Sequence, residues 1–195
     1  IGADSMRGGR GNDTCVVDST GDTITEYNGV DPVLVSTDAA WGLGNGSSEG
    51  AQFSDDGRYV IFSSDASDLV AGDNNAVWDI FVKDLQSGAI QRVSTSGVGA
   101  EGNGGSSAAQ FSRDGRYVVF HSLADNLVAG DSNMTTDVFV KDLQTGTIKR
   151  VSTSAIGSQA NQASFNADIS SDGRYVAFES DAWNLVASDT NGCTD

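Results

Sequence analysis

Three heptads in this 195-residue chain place oxygen side chains at one spacing: Asp73-Asn74-Asn75-Ala76-Val77-Trp78-Asp79, Asp131-Ser132-Asn133-Met134-Thr135-Thr136-Asp137 and Asp189-Thr190-Asn191-Gly192-Cys193-Thr194-Asp195. In this D-x-N-x-x-x-D frame, Asp73, Asn75 and Asp79, then Asp131, Asn133 and Asp137, then Asp189, Asn191 and Asp195 hold positions 1, 3 and 7. Hard oxygens so spaced make the first half of a loop that wraps Ca2+. The frame lacks a glycine at position 6 and a distal bidentate glutamate, so Asx turns that organise a long loop suit it equally. A second oxygen set lies near the start, where Gly8-Gly9-Arg10-Gly11-Asn12-Asp13 is preceded by Asp4, nine residues before Asp13. Gly9 and Gly11 let the backbone turn tightly and aim carbonyls inward, and each aspartate adds an anionic oxygen. Hard oxygens gathered in this way suit a divalent cation, and Ca2+ is the expected cofactor.

Catalytic chemistry finds little footing. His121 is the only histidine, and the equivalent places in the repeat described below hold Ser63 and Glu179. A serine–histidine–acid triad needs a histidine held by an acid and facing a nucleophile. There is no G-x-S-x-G elbow and no glycine-rich phosphate loop that follows a strand and opens a helix. Trp41, Trp78 and Trp183 occupy non-equivalent repeat positions, which offers no regular aromatic platform. A chain that is not an enzyme is the expectation.

The charge restricts partners. Twenty-seven acidic residues against 11 basic ones give a formal net charge of −16, a field that repels nucleic acid and anionic membrane surfaces and draws divalent cations. No run approaches the ~20 apolar residues a spanning helix needs, so membrane insertion is not expected. Twenty-four glycines and a single proline, Pro32, speak for many tight turns. Nothing in the sequence places Cys15 and Cys193 together as a disulfide.

Elements that could position these residues follow from an internal repeat. At an offset of 58, residues 51–92 match residues 109–150 without a gap, with 28 of 42 positions identical. A third copy begins at Asp168, and Val-Ser-Thr recurs at 35–37, 93–95 and 151–153. The units are therefore 35–92, 93–150 and 151–195, within a region 33–195 that follows a Gly/Asp segment, 1–32. In each unit, Gly57 supplies a positive φ in the turn before Arg58-Tyr59-Val60-Ile61-Phe62, whose apolar residues on both faces predict a strand between two sheets. Asp79–Leu85 and Ala89–Val93 are two more strands around a Gln86-Ser87-Gly88 turn, and the stretch before Phe53 supplies a fourth. Asp56-Gly57-Arg58 and its copies Asp114-Gly115-Arg116 and Asp172-Gly173-Arg174 are expected to pair charges within the turn. The fold class is all-β, in four-stranded blades with a 58-residue period. Phe53, Tyr59 and Phe81 should match Phe111, Tyr117 and Phe139.

The run FS-x-DGRYV-x-F with D-[IV]-FVKDLQ-[ST]-G resembles the WD40-like (PD40, TolB-type) β-propeller repeat over residues 51–195. The resemblance implies radial blades, here a partial propeller. Gly8 to Val16 resembles the G-G-x-G-x-D-x-U-x nonapeptide of the RTX (hemolysin-type) calcium-binding β-roll, with Cys15 at the apolar place. Ile1 to Arg7 fits the end of a preceding copy with Met6 as its apolar residue. That implies a short β-roll-like segment ordered by calcium through Asp4 and Asp13.

Two functions fit these readings. One is a calcium-binding, non-catalytic module of a larger secreted or cell-surface protein, taking a protein or polysaccharide ligand, with self-association through unclosed blades. The other is the accessory propeller of a secreted hydrolase or peptidase whose catalytic domain lies outside the chain. In the propeller reading, Val33–Ser36 would be the closing strand, with Pro32 where no ladder donor is needed.

Overall fold

Every strand of the first complete unit has its counterpart 58 residues on. The computed structural model describes residues 5–7, 23–25, 33, 35–187, 189–190 and 192–195, and for 5–7 and 23–25 it describes the backbone. The first sheet is formed by β3 (Ser48–Phe53), β4 (Tyr59–Ser64), β5 (Asp79–Asp84) and β6 (Ile90–Arg92). The second is formed by β7 (Ser106–Phe111), β8 (Tyr117–Ser122), β9 (Asp137–Asp142) and β10 (Ile148–Arg150). Both are antiparallel and in sequence order, and β11 (Ser164–Ile169) pairs with β12 (Val176–Ser180) in the third unit. Apart from these, β1 (Ser5–Arg7) pairs with β2 (Thr23–Thr25) in parallel. No helix occurs among the described residues. The chain is thus all-β with four-stranded antiparallel sheets, as its repeat predicted.

The sheets stack face to face, which explains strands that are apolar on both sides. Ile61, Ile80 and Val82 leave one face of the first sheet and join Ala109, Val118, Phe120 and Phe139 of the second in one core. On its other face the second sheet sends Val119 and Val138 against Ala167 and Ile169 of the third unit. Phe81 and Phe139 are fully buried equivalents, each stacked on a phenylalanine of the neighbouring strand, Phe62 at 5.8 Å and Phe120 at 5.9 Å. Phe120 and Phe139 lie in the core between the first two sheets, whereas Phe62 and Phe81 lie on the other face of the first sheet with Val35; burying each phenylalanine side chain contributes about 1.5–3 kcal/mol.

The Val-Ser-Thr tripeptides stitch one sheet to the next. The Val93 N–H donates to Ile80 C=O at 2.7 Å, continuing the ladder of the first sheet, while the Val93 side chain lies in the core against the second. Thr95 then grips the second sheet. The Lys141 ammonium, almost wholly buried in β9, donates to Thr95 C=O (2.8 Å), Thr95 Oγ1 (3.0 Å) and Ser96 C=O (3.0 Å). Lys83 does the same with Thr37 and Asp38 and lies 4.4 Å from the Trp41 ring centroid. Burial pushes both lysines below their ordinary pKa. The signal in the sequence that links these lysines to the threonines is that both recur at the one offset.

Of Val33–Ser36, the described Val35 is fully buried, packed with Val60, Phe62 and Phe81 on its own unit. The proposed closing role of that segment draws on residues outside those described.

One expectation is corrected. Arg58 and Arg116 do not pair with the aspartate of their own turn. Asp56 accepts from Ser54 Oγ (2.6 Å) and Arg58 N–H (3.0 Å), which fixes the turn. The Arg58 guanidinium reaches Asp84 at the end of β5 at 2.7 Å, and Arg116 reaches Asp142 at 2.7 Å. The side chain leaving the start of β4 points along the ladder, where Tyr59 faces Asp84, so the cross-strand carboxylate is the nearer partner. The Arg116 guanidinium, helped by the N–H groups of Gln144 and Thr145, holds the Asp142 carboxyl down at about 2. Its folded value lies below the unfolded one of about 3.9, so the pair stabilises fully above that range and the contribution is lost as pH falls towards 2. Thermal melts between about pH 5 and pH 2 should show a shallower acid loss for Asp142→Asn than for the wild type.

Candidate functional site

Asp79 and Asp137 open β5 and β9 with carboxylates sealed from solvent, and everything around them is arranged to satisfy that charge. In the first unit, Ser94 Oγ donates to Asp79 Oδ1, and Asn75 Nδ2 donates to Asp79 Oδ2 at 2.8 Å. Asn75 also bonds Gly102 C=O (2.9 Å), while its Oδ1 accepts from Val77 N–H (3.0 Å). That last contact is an Asx turn, so Asn75 shows its nitrogen, not its oxygen, to the carboxylate.

The cation at the centre is supplied by the chain. Arg92, at the end of β6, places Nη1 at 3.3 Å from both Asp73 Oδ1 and Asp79 Oδ2, and against Glu101 Oε1. Its Nη2 donates to Gly72 C=O at 3.1 Å. Glu101 comes from the next unit and also accepts from Asn74 N–H at 3.0 Å. Oxygens of Asp73, Asp79 and Glu101 lie within 4.8 Å of one another, a spacing at which three carboxylates could hold a metal ion. Three carboxylates around one guanidinium leave an excess of negative charge in a confined space. Burial, reinforced by Asp79 and Glu101 and opposed by Arg92, pushes the Asp73 pKa up to about 6. Burial likewise raises Asp79, against the bonds from Ser94 and Asn75.

The second unit repeats this arrangement with one charge fewer. Arg150 Nη1 lies 3.3 Å from Asp131 and 3.8 Å from Asp137. Gln159 stands where Glu101 does, and its amide donates to Asp131 (2.7 Å) and Asp137 (3.1 Å). Asn133 Nδ2 bonds Ala160 C=O at 2.9 Å, as Asn75 bonds Gly102. In the third frame, Asp195 pairs its backbone with Ser180, as Asp79 pairs with Ser64, and Asn191 lies outside the described residues. The structure therefore gathers Asp73 with Asp79 and Asp131 with Asp137. It adds Arg92, Arg150, Glu101 and Gln159, which the heptad alone did not reveal. A sequence signal existed: the arginine recurs at the 58-residue offset, and Glu101 and Gln159 are matched in position.

The other candidates lie elsewhere. Asp4, Gly9, Gly11 and Asp13 fall outside the described residues. His121 faces Ser107 across β7 and β8, with Nε2 2.7 Å from Ser107 Oγ and Nδ1 buried without a partner. Among the described residues no acid holds that ring, and a triad is not assembled.

No known protein family matches the sequence, and no curated protein does. Similar solved structures include TolB from Acinetobacter baumannii, at 17% identity and a TM-score of 0.43 over 77% of this chain and 32% of that one. The β-propeller domain of the Trilobed protease from Pyrococcus furiosus gives 14% identity and a TM-score of 0.45 over 69% and 34%. The acylaminoacyl peptidase of Pyrococcus horikoshii gives 15% and 0.43 over 73% and 18%. The chain spans about a third of the length of the first two.

Proposed function

We propose that the chain is a calcium-stabilised, non-catalytic binding module of a secreted or cell-surface protein. Stacked propeller-type sheets form its body and a β-roll-type segment its calcium-binding end. The observation that carries the calcium reading is the register of β1 and β2. Ser5, Met6 and Arg7 pair in parallel with Thr23, Ile24 and Thr25, an offset of 18, twice nine. Two nonapeptides per turn of a roll bring alternate strands side by side in this manner. The sequence keeps the same beat: Met6, Cys15 and Ile24 stand nine apart, and so do Asp4, Asp13 and Asp22. Asp22 and Ile24 thereby join the pattern as a third copy, which supports stacked turns with carboxylates between them.

In the first two blade loops Arg92 and Arg150 take the place a cation would fill, which supports a role in the fold for those two frames. Calorimetry in calcium and in chelator tests the assignment. Calcium at about 100 times its Kd adds ~2.7 kcal/mol to whatever unit binds it, so melting of the wild type should rise by several degrees. Asp13→Ala and Asp22→Ala should abolish the rise, and Asp131→Asn should keep it. Equal melting with and without chelator, together with no calcium uptake, would refute the reading.

A further inference from the structure

A cleft of about 270 Å³ is lined by residues of the first two units, Glu49, Trp78, Ser107, His121, Leu123 and Thr136 among them. The repeat acts as its own control on what these positions do for the fold. At the start of the inner strands, Ser48–Ser64, Ser106–Ser122 and Ser164–Ser180 join hydroxyls at 2.9 Å in all three units. The next rung does not repeat: Glu49 faces Ser63, Ser107 faces His121, and Phe165 faces Glu179. Trp78 likewise corresponds to Thr136. The fold therefore fixes one rung and leaves the adjacent one free, and at the junction of units one and two the free positions converge on a single cleft. The bulge beside this rung belongs to the fold, since Gly50, Ala108 and Asn166 take φ of +67°, +51° and +50° at the same place in the three units.

The His121–Ser107 pair sets the chemistry of the cleft. Burial pushes the imidazole below its ordinary pKa, so it is neutral near pH 7. A buried N–H without an acceptor is costlier than a bare lone pair, so the unpartnered Nδ1 is the unprotonated nitrogen. Nε2–H then donates to Ser107 Oγ, and the Ser107 hydroxyl proton is left for a ligand. That polarity makes Ser107 a donor and not a nucleophile. Around it stand an acceptor in Glu49, a hydroxyl of either polarity in Thr136, an indole in Trp78 and the exposed Leu123.

We propose that this cleft binds one ring of a neutral polysaccharide. A sugar ring presents an apolar C–H face suited to Trp78 and Leu123, and hydroxyls that both donate and accept, suited to Ser107, Glu49 and Thr136. An anion meets Glu49 and a net charge of −16, while a simple cation would leave the Ser107–His121 pair idle. The volume lies below the roughly 300–1,000 Å³ of drug-sized pockets, which suits one ring of a longer chain. The proposal rests on the binding-module reading but not on calcium, and the two fail separately because one is read by sugar titration and the other by melting.

The test titrates glucose, galactose, mannose, N-acetylglucosamine and their short oligomers into the whole chain. It is followed by tryptophan fluorescence and saturation-transfer NMR. At least one sugar should saturate, and Ser107→Ala, Trp78→Ala and Glu49→Gln should each weaken it about five- to tenfold. Glu49 is exposed, so Glu49→Gln reports on the cleft even where Trp78→Ala fails to fold. The proposal is overturned if no sugar saturates, or if binding survives all the folded variants unchanged. Saturation by choline in the absence of any sugar would also overturn it, reassigning the cleft to cations.

Discussion

Arg92→Ala should lower the stability of the chain by about 3–5 kcal/mol, the usual cost of leaving buried charge without its partner. Arg92 is the one cation among Asp73, Asp79 and Glu101, and its side chain is itself 9% exposed. Without it, Asp79 keeps Ser94 and Asn75 but loses its countercharge. Arg150→Ala should cost less, because Gln159 continues to donate to both remaining carboxylates. Adding Glu101→Gln to Arg92→Ala should recover part of the loss by giving the first site the composition of the second without Arg150. Urea unfolding of the four proteins measures all of this, and equal losses for the two arginine variants would refute the charge argument. Asp73 adds a pH signature. Its folded pKa of about 6 lies above the unfolded value, so folding takes up a proton and this group's contribution grows as pH falls from about 7 to 4. Glu101→Gln, by removing one neighbouring charge, should flatten that rise.

Lys141→Ala should cost about 2–4 kcal/mol, since hydrogen bonds to a charged group contribute roughly 1.5–3 kcal/mol each and burial of the ammonium offsets part of that gain. Three acceptors on Thr95 and Ser96 would lose their donor together. The loss should appear first as local opening: amide exchange at residues 93–96 should accelerate well before the β8–β9 ladder responds. Uniform acceleration across the second sheet would mean that the lysine supports the sheet and not the linker.

The sheets were legible because a strand covered on both faces must be apolar at consecutive positions, as Val60-Ile61-Phe62 and Val118-Val119-Phe120 are. The 58-residue period carried every boundary from one unit to the next. The charge networks were less so. Asp73, Asn75 and Asp79 share one heptad, but their partners are Arg92, a strand-end residue, and Glu101, which belongs to the following unit. Spacing within a motif cannot reveal a contact made across a sheet interface. Arg58 misled for a similar reason, since the aspartate two residues away is engaged by the turn while Asp84 faces it from the next strand. Trp78 and His121 looked unremarkable because neither repeats. A site made by departures from a repeat is invisible to the comparison that finds the repeat.

The segment 93–95 is held by its backbone to the sheet before it and by Thr95 to the sheet after it. A linker fastened on both sides has no slack, so it cannot act as a hinge. The angle between successive sheets is therefore a fixed step, repeated wherever Val-Ser-Thr meets its lysine. An array built from one constant rotation bends at a set curvature, as a spiral stair does. The number of units that complete a turn is then decided locally, at each junction, by the side chains that fix the step.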